Sequence, residues 1–409
     1  MPLTVSIVIV SRHRPGALRR CLIAISQLDY DPFEVVIVAD PASCTALRNV
    51  PQAAYAKLVA YDEANISAAR NLGINAAAGE IVAFIDDDSV PEPTWLKYLI
   101  SPFAHADTAA AGGFVRGRNG ISWQYRARSV DQAGKTAPIE LDKGQATILV
   151  PTENQAIKTE GTNMAVRRSV LEELGGFDPR FRFYLDETDL NLRLAARGFC
   201  TAIVPLAEVH HGFAASTRRR GDRVPRNLFE IGASWAVFLG KHCEQNLREV
   251  AWKRAQAEER VRTLTHMVAG GLEPRDVHRL MQGLQDGYAQ GEIRQAEAVR
   301  IVPVPVDSFQ PSPPKHDFRT VVLPGRAWFR SRMRRMAKTE AAAGNVVTLI
   351  LLSPTAFFHR IVFTTDGYWE QRGGLFGKSV RTQKLISFWS FRRRIQAESD
   401  RMGIARGLR

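Results

Sequence analysis

A chain of 409 residues is long enough for a full catalytic core with appendages. Its four cysteines, Cys21, Cys44, Cys200 and Cys243, are scattered without Cys-x-x-Cys spacing. That indicates neither a cysteine zinc site nor a disulfide framework and suits reduced thiols. The formal net charge is +13, and all of the excess lies late: Ser312 to Arg409 holds 19 Lys+Arg against 6 Asp+Glu, while the remaining residues balance at 36 against 36.

Leu3 to Val10 reads as a buried strand that breaks into the polar loop Ser11-Arg12-His13-Arg14-Pro15-Gly16. The strand begins at once, without a charged region, an apolar core and a cleavage site, so no secretion signal is expected. A helix follows, with Leu18, Leu22, Ile25 and Leu28 on one face. Next come a strand from Val35 to Asp40, a weaker one near Ala56 to Ala60, and a helix over Ile66 to Ala78. The run Glu80 to Ile85 is again a short buried strand, and it ends in Asp86-Asp87-Asp88. Strands alternating with helices predict βαβ units and a parallel sheet. Open sheets of that kind bind ligands at the carboxyl ends of their strands, where Asp40 and Asp86 to Asp88 fall together. Adjacent carboxylates repel, and a hard divalent cation neutralises them, Mg²⁺ or Mn²⁺ by ligand type. The plainer reading is an acidic turn before a helix near Pro93-Thr94-Trp95-Leu96. Trp95 and Trp123 are candidates for a cleft or for the core, and Gly112-Gly113 and Gly175-Gly176 for turns.

Further on, an ordered set of short motifs appears. Arg70-Asn71-Leu72-Gly73, Gly79 through Asp88, Gly161-Thr162-Asn163-Met164-Ala165 and Gly175 to Asp178 precede the acidic cluster Asp186-Glu187-Thr188-Asp189-Leu190. Arg193, Gly198 and the pair His210-His211 close it. Each motif is weak alone, but the ordered set resembles the family 2 glycosyltransferases over roughly the first 230 residues. The resemblance implies an α/β GT-A fold, with a Rossmann-like, mostly parallel mixed sheet flanked by helices. It divides the domain into a nucleotide-sugar half over 1–115 and an acceptor half over 116–230.

The resemblance also implies an inverting transfer from a nucleotide diphosphate sugar to a hydroxyl, in cell-surface polysaccharide or glycolipid synthesis. Ser11, Arg12, Arg14, Asp40, Arg70, Asp86 and Asp87 are then expected on the nucleotide sugar. Asp86 and Asp88 would hold Mn²⁺ or Mg²⁺ with a histidine. His211 fits the spacing Pro205-x-Ala207-x-Val209-x-His211, and His210 is the second candidate. By position Glu187 is the general base. The chain carries Asp-Glu where the family has Glu-Asp, so Asp186 is the alternative base or a supporting group. Asp189 and Arg193 stand four apart and are expected to pair along a helix. The residues do not rank UDP, dTDP or GDP donors, and family frequency points to a UDP sugar. The runner-up functions are a nucleotidyltransferase that makes such a sugar, although the loop after strand one has a single glycine, and a non-catalytic scaffold.

Beyond the motifs, residues 227–268 read as a long helix and 274–298 as a second, together a helical extension over 231–300. Prolines at 303, 305, 311, 313 and 314 mark a linker over 301–320. The basic region 321–409 follows. Its clusters Arg326 to Arg335 and Phe388 to Arg394 interleave aromatics with arginines, which suits an anionic membrane surface better than nucleic acid. Val346 to Leu352 is the most apolar run but falls well short of the ~20 residues that span a bilayer. The expected location is cytoplasmic, peripheral on the inner membrane face, with a glycan or lipid-linked acceptor.

Overall fold

The computed structural model describes residues 2–142, 144–152, 154–294, 308–313 and 319–407. Its first half is built as the apolar periodicity dictates. Strand β1 (Val5–Ser11), helix α1 (Pro15–Ile25), β2 (Phe33–Ala39), α2 (Pro41–Leu47), β3 (Lys57–Ala60), α3 (Ile66–Ala76) and β4 (Ile81–Asp86) alternate. β1 pairs in parallel with both β2 and β4, and β2 with β3. Because helices cover both faces of these central strands, their side chains are buried almost throughout, which is why they read as unbroken apolar runs.

The second half completes one mixed sheet. β5 (Thr108–Arg116), β6 (Met164–Arg167), helix α4 (Asp186–Ala196) and β7 (Cys200–His211) follow in the chain. The strand order is Thr147–Leu149, β7, β5, β6, β4, β1, β2, β3, with β6 antiparallel to both of its neighbours. Gly112 and Gly113 lie inside β5 rather than in a turn. A Cβ on Gly113 would meet the Ala207 carbonyl oxygen at 2.0 Å, so the glycine serves close strand packing. Trp95 is core, fully buried with its Nε1 donating to Asn163 Oδ1 at 2.7 Å.

The expected long helix is two. α5 (Phe229–His242) is buried along much of its length, and α6 (Gln245–Val268) is mostly polar. The chain turns extended at Cys243 and Glu244 between them. α7 (Pro274–Glu292) packs back on α5, and the three cover Phe181 and Leu185 ahead of α4 and Leu192 within it. Residues 295–298 of the expected second helix, and the linker prolines 303, 305 and 314, lie outside the described residues. Where the linker is described it returns to the sheet: Gln310 N donates to Glu34 Oε2 and Ser312 N to the Phe33 carbonyl, both at 2.8 Å.

The basic region is folded. β8 (Thr320–Arg326), α8 (Arg330–Ala342), β9 (Val346–Ser353), β10 (Arg360–Phe363) and β11 (Trp369–Gly374) form a four-stranded sheet in the order β8-β9-β11-β10, and α9 (Phe391–Arg406) closes the unit. One face, with Val347, Leu349 and Leu351, packs on Ala337 of α8. The other, with Ile350, Leu352 and Trp369, packs on Ala24 of α1 and on Val90.

Candidate functional site

The parallel register sets Val10 opposite Asp86 and Ser11 opposite Ala39, so β1, β2 and β4 end together at one sheet edge. A cleft of ≈ 290 Å³ opens there, lined by Ser11, Arg12, Arg14, Asp86 and Asp88 on one side and by Asp186, Glu187 and His211 on the other.

Asp86, Asp88 and His211 place one ligand atom each within 4.8 Å of the others. His211 Nε2 lies 3.3 Å from Asp88 Oδ1, and its Nδ1 lies 3.0 Å from Gln124 Oε1. An amide oxygen only accepts, so Nδ1 carries a ring proton and Nε2 is the nitrogen that faces the acids. Asp88 Oδ2 is already engaged, by Ala214 N at 2.7 Å, Arg219 at 3.3 Å and Arg14 at 3.5 Å. Burial pushes the Asp88 carboxyl up, but His211 and Arg14 outweigh it and hold it well below the usual range. Two carboxylates and an imidazole nitrogen make a donor set that fits Mn²⁺ or Mg²⁺.

Three residues expected at this site are placed elsewhere. Asp87 is fully buried behind the cleft, where Ser11 Oγ donates to it at 2.6 Å and Arg14 pairs with it at 2.7 Å. It shapes the loop that carries Ser11 and Arg14, and burial raises its carboxyl to about 7 against the pull of Arg14. Asp40 caps α2: it accepts from Ser43 N, from Ser43 Oγ and from His13 N, outside the cleft lining. Burial raises the Asp40 carboxyl, but those hydrogen bonds bring it down to about 2. His210 points to the opposite face of β7 from His211, as strand alternation requires, and its Nε2 lies 2.8 Å from Glu92.

Across the cleft, Tyr184 and Leu185 hold φ of 75° and 64°, left-handed values for non-glycine residues, immediately before α4 begins at Asp186. That turn delivers Asp186 and Glu187 to the cleft. Arg70 joins the two sides: one guanidinium nitrogen pairs with Asp186, and the other lies 3.5 Å from Asp86. Gly161 makes room for this, because a Cβ there would meet the guanidinium at 2.3 Å. Glu187 accepts from Lys158 Nζ at 3.0 Å. Burial raises both acids. For Asp186, Arg70 only partly opposes it and the carboxyl stands at about 7. For Glu187, Lys158 and then Arg70 prevail and hold it at about 2. Asp189 pairs with Arg193 at 2.8 Å as expected, and also meets His242 and Lys241 of α5.

The motif reading passed over Lys158, Gln124, Arg218 and Arg219. Arg218 and Arg219 line the cleft, and burial first, then neighbouring guanidiniums such as Arg14, pulls both below their ordinary value. Cations held this way favour an anion among them. The run Arg218-Arg219-Arg220 was visible in the sequence, but nothing there ties it to Asp88. Lys158 and Gln124 gave no local signal.

A model of glycosyltransferase-like family 2 matches residues 2–226. The O-antigen biosynthesis protein RfbC of Myxococcus xanthus is 30% identical over 259 residues, which cover 58% of this chain and 19% of that protein. The pre-mycofactocin glycosyltransferase of Mycobacterium tuberculosis is 26% identical over 245 residues, covering 58% of this chain and 48% of its own length. The chain thus spans less than half the length of either relative. Among solved structures, GalNAc-T7 with UDP, GalNAc and Mn²⁺ is similar at a TM-score of 0.45 and 16% identity, covering 58% of this chain and 48% of that one.

Proposed function

The chain belongs to the family 2 glycosyltransferases, and from that premise we propose that it moves a sugar from a nucleoside diphosphate donor to a hydroxyl acceptor, with inversion, in the assembly of a cell-surface polysaccharide or glycolipid. The observation that carries this reading is Arg70, whose guanidinium lies between Asp86 and Asp186 and so fixes two acidic groups on opposite walls of one cleft. One wall suits a leaving diphosphate and the other a nucleophile.

Asp86, Asp88 and His211 would hold a divalent cation, which when bound supplies Lewis-acid neutralisation of the diphosphate. Arg14 and Arg219 flank the same acids and offer further charge to the phosphate oxygens. Glu187 takes the acceptor proton. Its side chain is 17% exposed against 4% for Asp186, whose oxygen is taken by Arg70. Lys158 keeps Glu187 ionised at working pH and lowers its basicity. That is compatible with late proton transfer, because the attacking hydroxyl becomes acidic as its oxygen bonds to the anomeric carbon. With a base in place and no enzyme nucleophile required, a single displacement inverts the centre.

Thermal stabilisation by UDP, dTDP, GDP and CDP, each with and without Mn²⁺, tests the donor wall. One diphosphate should stabilise the chain only with metal, and Asp88→Ala should lose that effect. Equal stabilisation of wild type and variant would overturn the site. NMR of the sugar released by slow donor hydrolysis reads the stereochemistry, with the inverted anomer expected.

A further inference from the structure

The two aromatic-arginine clusters of the basic region are about fifty residues apart in sequence, and the fold brings them onto one surface. The Arg326 guanidinium carbon lies 4.2 Å from the Phe391 ring centroid and 5.9 Å from that of Trp328. Trp328 and Phe329 are exposed beside it, at the head of a helix whose Arg330, Arg332 and Arg335 are also exposed.

A second group of exposed apolar side chains lies around Phe376. Phe357 is 72% exposed and Phe388 92%, and Phe358, Leu385 and Ile386 stand open nearby in the chain. These are not loose tails. Gly374 N donates to the Phe357 carbonyl at 2.9 Å and Ser387 N to the Phe376 carbonyl at 3.1 Å, and the Phe376 and Phe388 rings lie 6.0 Å apart. Exposed Arg381, Lys384, Arg392 and Arg393 flank them in the chain. Apolar side chains held outward on a hydrogen-bonded scaffold, among cations in a stretch with no acid between Glu370 and Glu398, are poorly placed for water alone.

We propose that this surface docks on an anionic lipid bilayer, with Phe357, Phe358, Leu385, Ile386 and Phe388 entering the interfacial layer and the arginines on lipid phosphates. The carrying observation is the charge match: the region holds all of the chain's excess positive charge, interleaved with the rings. The corner is also tied to the catalytic domain. Ile361 N donates to the Asn119 carbonyl at 2.9 Å, and Arg118 of the same loop donates to the Gly221 carbonyl at 2.8 Å, two residues from cleft-lining Arg219. Docking there holds the 118–119 loop, and through it the segment that carries Arg219, close to the membrane surface, which fits a lipid-linked acceptor; this last step rests on the glycosyltransferase reading above, but the docking does not.

Vesicle flotation of the full chain separates the two. Vesicles of phosphatidylcholine with one third phosphatidylglycerol should carry the protein, and pure phosphatidylcholine should carry about tenfold less or none. Phe357→Ser with Phe388→Ser, and separately Arg392→Glu with Arg393→Glu, should each lower flotation by about tenfold. Both variants should keep the stabilisation by nucleoside diphosphate and Mn²⁺, which shows that they fold and leaves the donor site judged on its own. Folded wild type that floats with neither vesicle, or variants that float as wild type does, would overturn the proposal. So would a single-stranded oligonucleotide that binds with the same loss in both variants while vesicles do not.

Discussion

His210 and His211 are neighbours on β7, each 8% exposed, and each lies beside two carboxylates with all three ligand atoms within 4.8 Å. By spacing alone they are equivalent metal sites. The difference lies in what already meets the acids. Around His210, Arg406 of α9 donates to both oxygens of Glu92, at 2.9 and 3.2 Å, and Arg116 to both oxygens of Glu208, at 2.5 and 3.1 Å. Arg406 also lies 4.4 Å from the Trp369 ring centroid, so the group is sealed where the C-terminal unit meets the catalytic domain. Around His211, Arg14 and Arg219 meet one oxygen of Asp88 at 3.5 and 3.3 Å, Arg70 lies 3.5 Å from Asp86, and neither acid is gripped at both oxygens by one arginine. One acid-histidine group holds two units together through paired, close ion pairs, and the other is held more loosely at the cleft. Charge already supplied, rather than ligand spacing, separates glue from site.

The largest test of that contrast is Asp88→Ala against Glu92→Ala. Losing Asp88 should lower kcat/KM by about a thousandfold, since a bound metal is worth several kcal/mol at the leaving group, and should abolish the thermal stabilisation by nucleoside diphosphate with Mn²⁺. Glu92→Ala should do the reverse, leaving Arg406 buried without its partner at a cost of about 3–5 kcal/mol in denaturant unfolding. A Glu92→Ala chain that unfolds like wild type, or one that loses metal binding as Asp88→Ala does, breaks the comparison.

Next in size is Glu187→Gln, expected to lower kcat by about 10²–10⁴-fold if this side chain is the base. The pH profile then sharpens the assignment. A base works only deprotonated. With Glu187 at about 2, no carboxylate limb should show between pH 5 and 8, whereas a base at Asp186, at about 7, would make kcat/KM fall tenfold per unit below that value. Lys158→Met removes the main cation on Glu187 and should move its acid limb upward into the measurable range. A wild-type limb near pH 7 that Asp186→Asn abolishes would transfer the role.

What the sequence disclosed follows from range. Buried strands are local apolar runs, and the acids at their ends are local too, so the sheet and Asp86 to Asp88 were legible. The fates of Asp40 and Asp87 were not, because Ser43, Ser11 and Arg14 claim them through turns that no periodicity specifies. Strand alternation put His210 and His211 on opposite faces, yet which face was the cleft depended on pairing with β5, ninety residues earlier. Arg70 was found as part of a motif, but its partner Asp186 lies across 116 positions. Arg394 stood in a cluster read as facing a membrane and Arg406 entered the net charge of the basic region, yet both are buried ion-pair partners. Net charge is a sum over the chain and does not say which cations are spent inside.

The smallest effect expected is also the most selective. Gln124 is not among the residues that line the cleft, and its Oε1 fixes the His211 ring with Nε2 toward Asp88. Partners of this kind set ligand orientation and tautomer, and their loss lowers metal affinity by about 10–100-fold. Gln124→Leu keeps the bulk but offers no acceptor, so Mn²⁺ affinity should fall by that factor while kcat at saturating Mn²⁺ stays close to wild type. His210 supplies the control on the same strand. His210→Gln keeps a hydrogen-bonding group toward Glu92, and Mn²⁺ affinity should not move. If instead His210→Gln weakens metal binding as much as Gln124→Leu does, the two faces of β7 are coupled through the strand, and the sealed group acts on the open one.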